Sequence, residues 1–235
     1  MNDSLYMFPT ACDQTLRALA RYPSRTAFSW PGGSISYQGM TNLIGRMQNV
    51  LMRLGARPVT CVALLTANRA DAWAAGVAAQ LSRFSITWLH PMGSLPDQLD
   101  QIADSEARIL IIDADTFLLR GADLAAKADG VEHVFTLGRA DYGTDLLIAA
   151  EASGSVSPKN LAQPGDTATL NYTGGTTGKS KGALRTHREL AGFAAAILAD
   201  FELPDTPSYL TVAPISHVAG TKVLPSLIRG APCTC

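Results

Sequence analysis

Between residues 60 and 137 the chain alternates two kinds of pattern. Short, continuous apolar runs, "TCVALLT", "FSITWLH", "ARILIID" and "EHVFTL", are separated by longer segments in which apolar residues recur at helical spacing. Those segments are "RADAWAAGVAAQLS", "LPDQLDQIADSE" and "TFLLRGADLAAKAD". Apolar runs without a polar face predict strands buried on both sides, and their alternation with helices predicts an α/β fold with a mostly parallel sheet wrapped by helices. Upstream, "ACDQTLRALARYP" predicts an amphipathic helix ending before Pro23. Thr26–Trp30 and Ser34–Tyr37, joined through Pro31-Gly32-Gly33, predict a β-hairpin, and a helix is expected from Met40 to Leu54. Downstream, "DTATLNYT" predicts a strand, residues 174–182 a loop and "HRELAGFAAAILADF" a helix. "SYLTVAP" then predicts a strand, and "SHVAGTKVLPSLIRG" a helix broken near Pro225. The turn-rich stretch 153–165 reads as a surface connection within one domain.

Composition supports a packed domain. Of 235 residues, 47% are hydrophobic and 17% charged, enough to build a sizeable core. Lys and Arg (19) nearly balance Asp and Glu (20), for a net charge of -1, which argues against a nucleic-acid binder. No apolar run approaches the ~18 residues of a membrane span, and the opening "MNDSLYMFPTACDQ" lacks the basic and apolar regions of a leader. Cys12, Cys61, Cys233 and Cys235 have no metal-ligand spacing and read as isolated thiols. A soluble, cytoplasmic protein without stable membrane insertion is expected.

Candidate chemistry concentrates in "NYTGGTTGKSKGALRTH", residues 171–187. Glycines let backbone N–H groups approach phosphate oxygens, threonine hydroxyls donate further bonds, and lysine neutralises charge. Two machines carry such runs. A Walker A loop would match "TGGTTGKS" except that Thr173 stands at its first glycine. It would lead straight into a helix, whereas Lys181-Gly182 follows here and glycine weakens a first helical turn.

The second candidate agrees more fully. "YTGGTTGKSKGALRTH" resembles the phosphate loop of the adenylate-forming (AMP-binding) superfamily, which contains acyl-CoA synthetases, luciferases and peptide-synthetase adenylation domains. The family pattern is roughly Y-T-S-G-T-T-G-x-P-K-G-V followed by T-H. Thr173, Gly175, Thr176, Thr177, Gly178, Lys181 and Gly182 are in register, while Gly174, Ser180 and Ala183 depart from it. The resemblance extends through the opening helix and paired strands, the strand–Asn–helix segment "CVALLTANRADAWAAGVAAQLS" and "APISHVAG", which is similar to the family's P-x-x-H-x-x-G segment. Arg83-Phe84 stands where the family usually has Gly-Ala.

The resemblance implies an enzyme that joins a fatty acid or other carboxylic acid to ATP and passes the acyl group from acyl-AMP to coenzyme A or another thiol. It places Thr173, Gly174, Gly175, Thr176, Thr177 and Gly178 around the β- and γ-phosphates, with the Thr173 hydroxyl near Mg²⁺. Lys181 would balance the leaving pyrophosphate, and His217 would line the acyl channel near the carboxylate. A neutral histidine packed at a strand–helix junction is the alternative for His217. His187 reads as part of a structural T-H element, and His90 and His133 carry no assigned role. Residues 1–235 are expected to be the N-terminal part of the AMP-binding domain, without the remainder of that domain and the small C-terminal lid. On that expectation the chain alone is inactive, and surfaces left uncovered favour self-association. An inactive relic or an interaction fragment remains the alternative to an enzyme.

Overall fold

The computed structural model describes residues 8–55, 60–173, 181–205 and 207–235. Its elements run α1 (Ala11–Arg21), β1 (Thr26–Trp30), β2 (Gly33–Ser36), α2 (Tyr37–Met52), β3 (Cys61–Leu65), α3 (Ala70–Leu81), β4 (Ser85–Trp88), α4 (Leu95–Asp104) and β5 (Ala107–Asp113). They continue with α5 (Ala114–Lys127), β6 (His133–Leu137), β7 (Thr144–Asp145), α6 (Leu146–Ala152), β8 (Thr167–Thr173), β9 (Lys181–Thr186), α7 (His187–Asp200), β10 (Tyr209–Leu210), α8 (Gly220–Ile228) and β11 (Cys233–Thr234).

Seven strands form one sheet in the order β7-β6-β5-β3-β4-β8-β9, parallel throughout except for the antiparallel β8–β9 pair. Strands β3 and β5 lie at its centre, and their side chains divide between two apolar layers. Val62, Leu64, Ile109 and Ile111 face α1, α2, α3, α6 and α8, while Ala63, Leu65, Leu110 and Ile112 face α4 and α5. This is the α/β architecture that the continuous apolar runs imply. A second sheet, β10-β11-β1-β2, joins the N-terminal hairpin to the last residues of the chain, with β11 parallel to β1 and to β10.

Local chemistry sets most helix starts. Thr10 and Asp13 form a capping box at α1, as do Thr186 and Glu189 at α7. Ser36, Ser94, Asp113 and Asp145 accept backbone N–H bonds at the starts of α2, α4, α5 and α6. Helix α3 is buried on nearly every side, and its run of alanines lets it lie close to the sheet and to α2.

Several elements differ from expectation. Helix α2 begins at Tyr37, three residues before Met40, because Ser36 caps it. The Tyr37 ring is fully buried and its hydroxyl donates to the carbonyls of Ala231 (2.9 Å) and Leu227 (3.2 Å). The described end of the expected 174–182 loop, Lys181-Gly182, is already strand β9. Helix α8 runs through Pro225, and "SYLTVAP" contributes only two strand residues. Helix α6 and strands β7 and β11 were not anticipated. Residues 153–165 are irregular, as expected, but grip the domain firmly. Gln48 of α2 bonds the N–H and carbonyl of Lys159 (2.8 and 2.7 Å), and Asn160 donates to Asp13 (2.7 Å) and Thr10 (2.9 Å). Gly45 faces the Val156 carbonyl so closely that a Cβ would lie 1.9 Å from its oxygen.

Candidate active site

Strand β8 carries the sequence into the phosphate-loop candidate, and β9 carries it out. Thr173 and Lys181 are paired directly across this two-strand ladder, with the Thr173 hydroxyl 3.4 Å from the Lys181 carbonyl. Both side chains are exposed. Behind them, Tyr172 donates to Asp104 at 2.6 Å, which ties the end of β8 to α4. Gly182 lies against Leu170 and the Tyr172 ring, where a Cβ would come within 2.8 and 3.3 Å. The remaining expected loop residues, Gly174, Gly175, Thr176, Thr177 and Gly178, lie outside the described residues. The structure therefore brings together the two loop-flanking residues, one hydroxyl and one cation, at the outer end of β8. A Walker loop runs from its Lys-Ser into a helix. Here an antiparallel strand follows Lys181, so that reading is rejected.

His217 belongs to a separate part of the surface. It sits in the turn between β10 and α8 and borders a cavity of about 140 Å³, with Trp73, Val77, Trp88, Phe193 and Gly220 among the lining residues. The cavity opens between α3, α7 and α8 over β4 and β8, and its walls are chiefly apolar. The His217 Nδ1 is 2.8 Å from the Ser216 hydroxyl, and the ring meets His90 edge-to-face, centroids 4.6 Å apart at 78°. Burial, followed by the neighbouring His90, lowers the His217 pKa, so the ring is neutral at pH 7. His90 accepts the Met92 N–H at Nδ1 (3.0 Å). No motif in the chain assigns His90 a role; its contact with His217 joins residues 127 positions apart and has no local signature.

His187 has the structural place expected for it. It is the first residue of α7, fully buried, with Nδ1 3.8 Å from the Cys12 thiol. Burial lowers its pKa to about 4, against the opposing effect of Asp166 and Asp13. The four cysteines are all free, burial raises the thiol pKa of Cys12, Cys61, Cys233 and Cys235, and no metal-binding cluster occurs among the described residues. Among those residues no helix is long and apolar enough to cross a membrane.

A family model described as AMP-binding enzyme matches residues 16–235. The chain belongs to this family. A medium/long-chain-fatty-acid–CoA ligase, FadD8, of Mycobacterium tuberculosis is 32% identical over 185 residues, covering 75% of this chain and 32% of the relative. A feruloyl-CoA synthase of an Amycolatopsis species is 27% identical, covering 88% of this chain and 40% of the relative. Among solved structures, the anthranilate CoA ligase AuaEII with anthranoyl-AMP superposes with a TM-score of 0.85 at 21% identity, over 97% of this chain and 45% of that one. The N-terminal domain of FACL13 from Mycobacterium tuberculosis gives 0.86 at 22% identity, over 96% and 57%. At those identities the structural likeness establishes the fold. This AMP-binding chain spans between 32% and 47% of the length of the curated relatives it matches, whose acids include fatty, aromatic and other carboxylates.

Proposed function

We propose that this AMP-binding chain supplies the phosphate-loop and acyl-pocket part of an ATP-dependent carboxylate–CoA ligase. The observation that carries the reading is the family match over residues 16–235 together with the pairing of Thr173 and Lys181 at the mouth of the glycine-rich loop. An exposed threonine paired across the ladder with an exposed lysine suits a polyphosphate, which needs donors and positive charge. A single neutral hydroxyl is a weak magnesium ligand, so Mg²⁺ would reach Thr173 only in company with phosphate oxygens. When bound, Mg-ATP supplies the electrophilic α-phosphate and the pyrophosphate leaving group.

The chain's own contribution is positioning and charge. Thr173 and the glycine-rich residues 174–178 hold the β- and γ-phosphates, and Lys181 offsets charge that accumulates on the leaving pyrophosphate. The apolar cavity beside His217 receives the hydrocarbon part of the acid and excludes water from it. The neutral His217 ring can offer a hydrogen bond near the carboxylate without drawing it into an ion pair that would blunt its nucleophilicity. The apolar walls Trp73, Val77, Trp88 and Phe193 favour a hydrophobic acid, the fatty-acid class expected from the sequence included. Coenzyme A is the proposed acyl acceptor.

The test is carboxylate-dependent pyrophosphate release by a protein of the relatives' length carrying residues 1–235, assayed with fatty and aromatic acids. Acid-dependent release that Lys181→Ala suppresses supports the proposal. ATP turnover independent of any carboxylate would overturn it.

A further inference from the structure

We propose that Asn68 is a positioning residue for His217, fixing the backbone on which that imidazole stands. The inference rests on the reading of His217 as the polar group at the acid cavity, but its geometry stands independently. Asn68 lies in the segment joining β3 to α3, and its amide is fully engaged with residues more than 140 positions away. Its Nδ2 donates to the carbonyls of Thr211 (2.8 Å) and Ala213 (3.0 Å), and its Oδ1 accepts the Ile215 N–H (2.7 Å). One planar side chain thus reads three alternate backbone groups of the stretch that ends in Ser216-His217.

The platform beneath Asn68 is itself rigid. Asp113, fully buried at the end of β5, accepts the Ala67 N–H (3.1 Å) and a guanidinium N–H of Arg69 (2.8 Å), so both neighbours of Asn68 are tied to the central strand. Arg69 is further held by Asp71 and Asp115. At the other end, Tyr209 donates to the Ala219 carbonyl (2.9 Å) and Thr211 to the Thr234 carbonyl (2.6 Å). Within this frame, Ser216 engages Nδ1 of His217 and the His90 ring packs edge-to-face against it. The turn containing His217 has no sheet ladder of its own beyond Leu210. Asn68 supplies the backbone partners that a ladder would have provided.

The proposal is tested on the isotopically labelled 235-residue chain, with neither ATP nor acid present. Long-range proton–nitrogen spectra report the ring nitrogens and the titration of His217, and hydrogen exchange reports Ile215. Asn68→Ala should speed Ile215 exchange about 10-fold or more, the effect of losing one backbone hydrogen bond. It should also shift the His217 ring signals and raise its pKa towards the ordinary value as the ring becomes more exposed. Asn68→Asp keeps the acceptor for Ile215 but loses both donors. It should move the same His217 signals while leaving a folded chain if the alanine variant does not fold. Gln48→Ala removes two comparable cross-chain bonds on α2, and is expected to lower stability without touching the His217 spectrum. Unchanged His217 shifts and titration in a folded Asn68 variant would overturn the assignment, as would equal shifts in Gln48→Ala. A protein that shows this coupling yet releases no pyrophosphate would sink the proposed function alone.

Discussion

Strands β5 and β9 belong to the same sheet and differ in almost every respect that holds a strand in place. In β5 all residues but Arg108 are buried, ladders run on both sides, and helices cover both faces. In β9 five of six residues are exposed, the only sheet partner among the described residues is β8, and Leu184 stands 66% exposed. The central strand is specified by burial. The edge strand is specified by its ladder, by the capping box at Thr186 and by the buried His187 at its base. Yet the edge strand carries Lys181. A site that must accept a bulky anion needs open surface and free donors, which a packed core cannot provide.

Substitutions can break that contrast at its strong end first. Leu64→Ala, in the fully buried β3, should cost about 2–5 kcal/mol in urea unfolding, the range for a large-to-small core change. A cost below ~1 kcal/mol would show that the centre of the sheet is less tightly packed than described.

The second test addresses the anchor between the two regions. With its pKa lowered from 6.5 to about 4, folded His187 remains unprotonated where the unfolded chain takes up a proton. Stability should therefore fall as pH drops from 6.5 through 4, by about 3 kcal/mol in total, and this contribution is fully lost only below both values. His187→Phe should remove that portion of the pH dependence, measured by urea unfolding at pH 7 and 4.5. An unchanged slope would mean that His187 is not the titrating group.

The third test concerns function at the edge. Lys181→Ala, in a protein of the relatives' length, should lower acid-dependent pyrophosphate release about 10–1000-fold with an unchanged melting temperature, because it would remove charge from the proposed polyphosphate site. A large loss of stability alongside would return Lys181 to a structural role. The smallest expected effect is Leu184→Ala, within about 0.5 kcal/mol of the parent despite the loss of a large apolar side chain.

The same contrast decides what could be read from the sequence. Strands β3, β4, β5 and β6 were legible because a strand covered on both faces has an unbroken apolar run. Strand β9, "KGALRT", was not, because an exposed edge strand has no burial period and its glycine suggested a loop. Helix α2 was misplaced at its start because Tyr37 follows a β-prone run, and Ser36 could have been read as its cap. Helix α6 is seven residues long, too short for a helical period to emerge. At the site, motif register alone put Thr173 and Lys181 together. The His90–His217 contact depends on where β4 and the β10–α8 turn meet, which no local pattern records.

Arg83 has a consequence for how this domain can vary. It is one of two non-glycine residues described with positive φ (68°), and its guanidinium pairs with Asp166 at 2.8 Å. Glycine would relax the backbone but remove the ion pair to Asp166, whereas arginine keeps the tether and bears the left-handed conformation. Alanine has neither advantage. The position therefore has two physically distinct solutions, a relaxed backbone or a tethered one. Asp166 also accepts the Gln163 N–H (2.8 Å), so its carboxylate keeps a structural task whichever residue stands at 83.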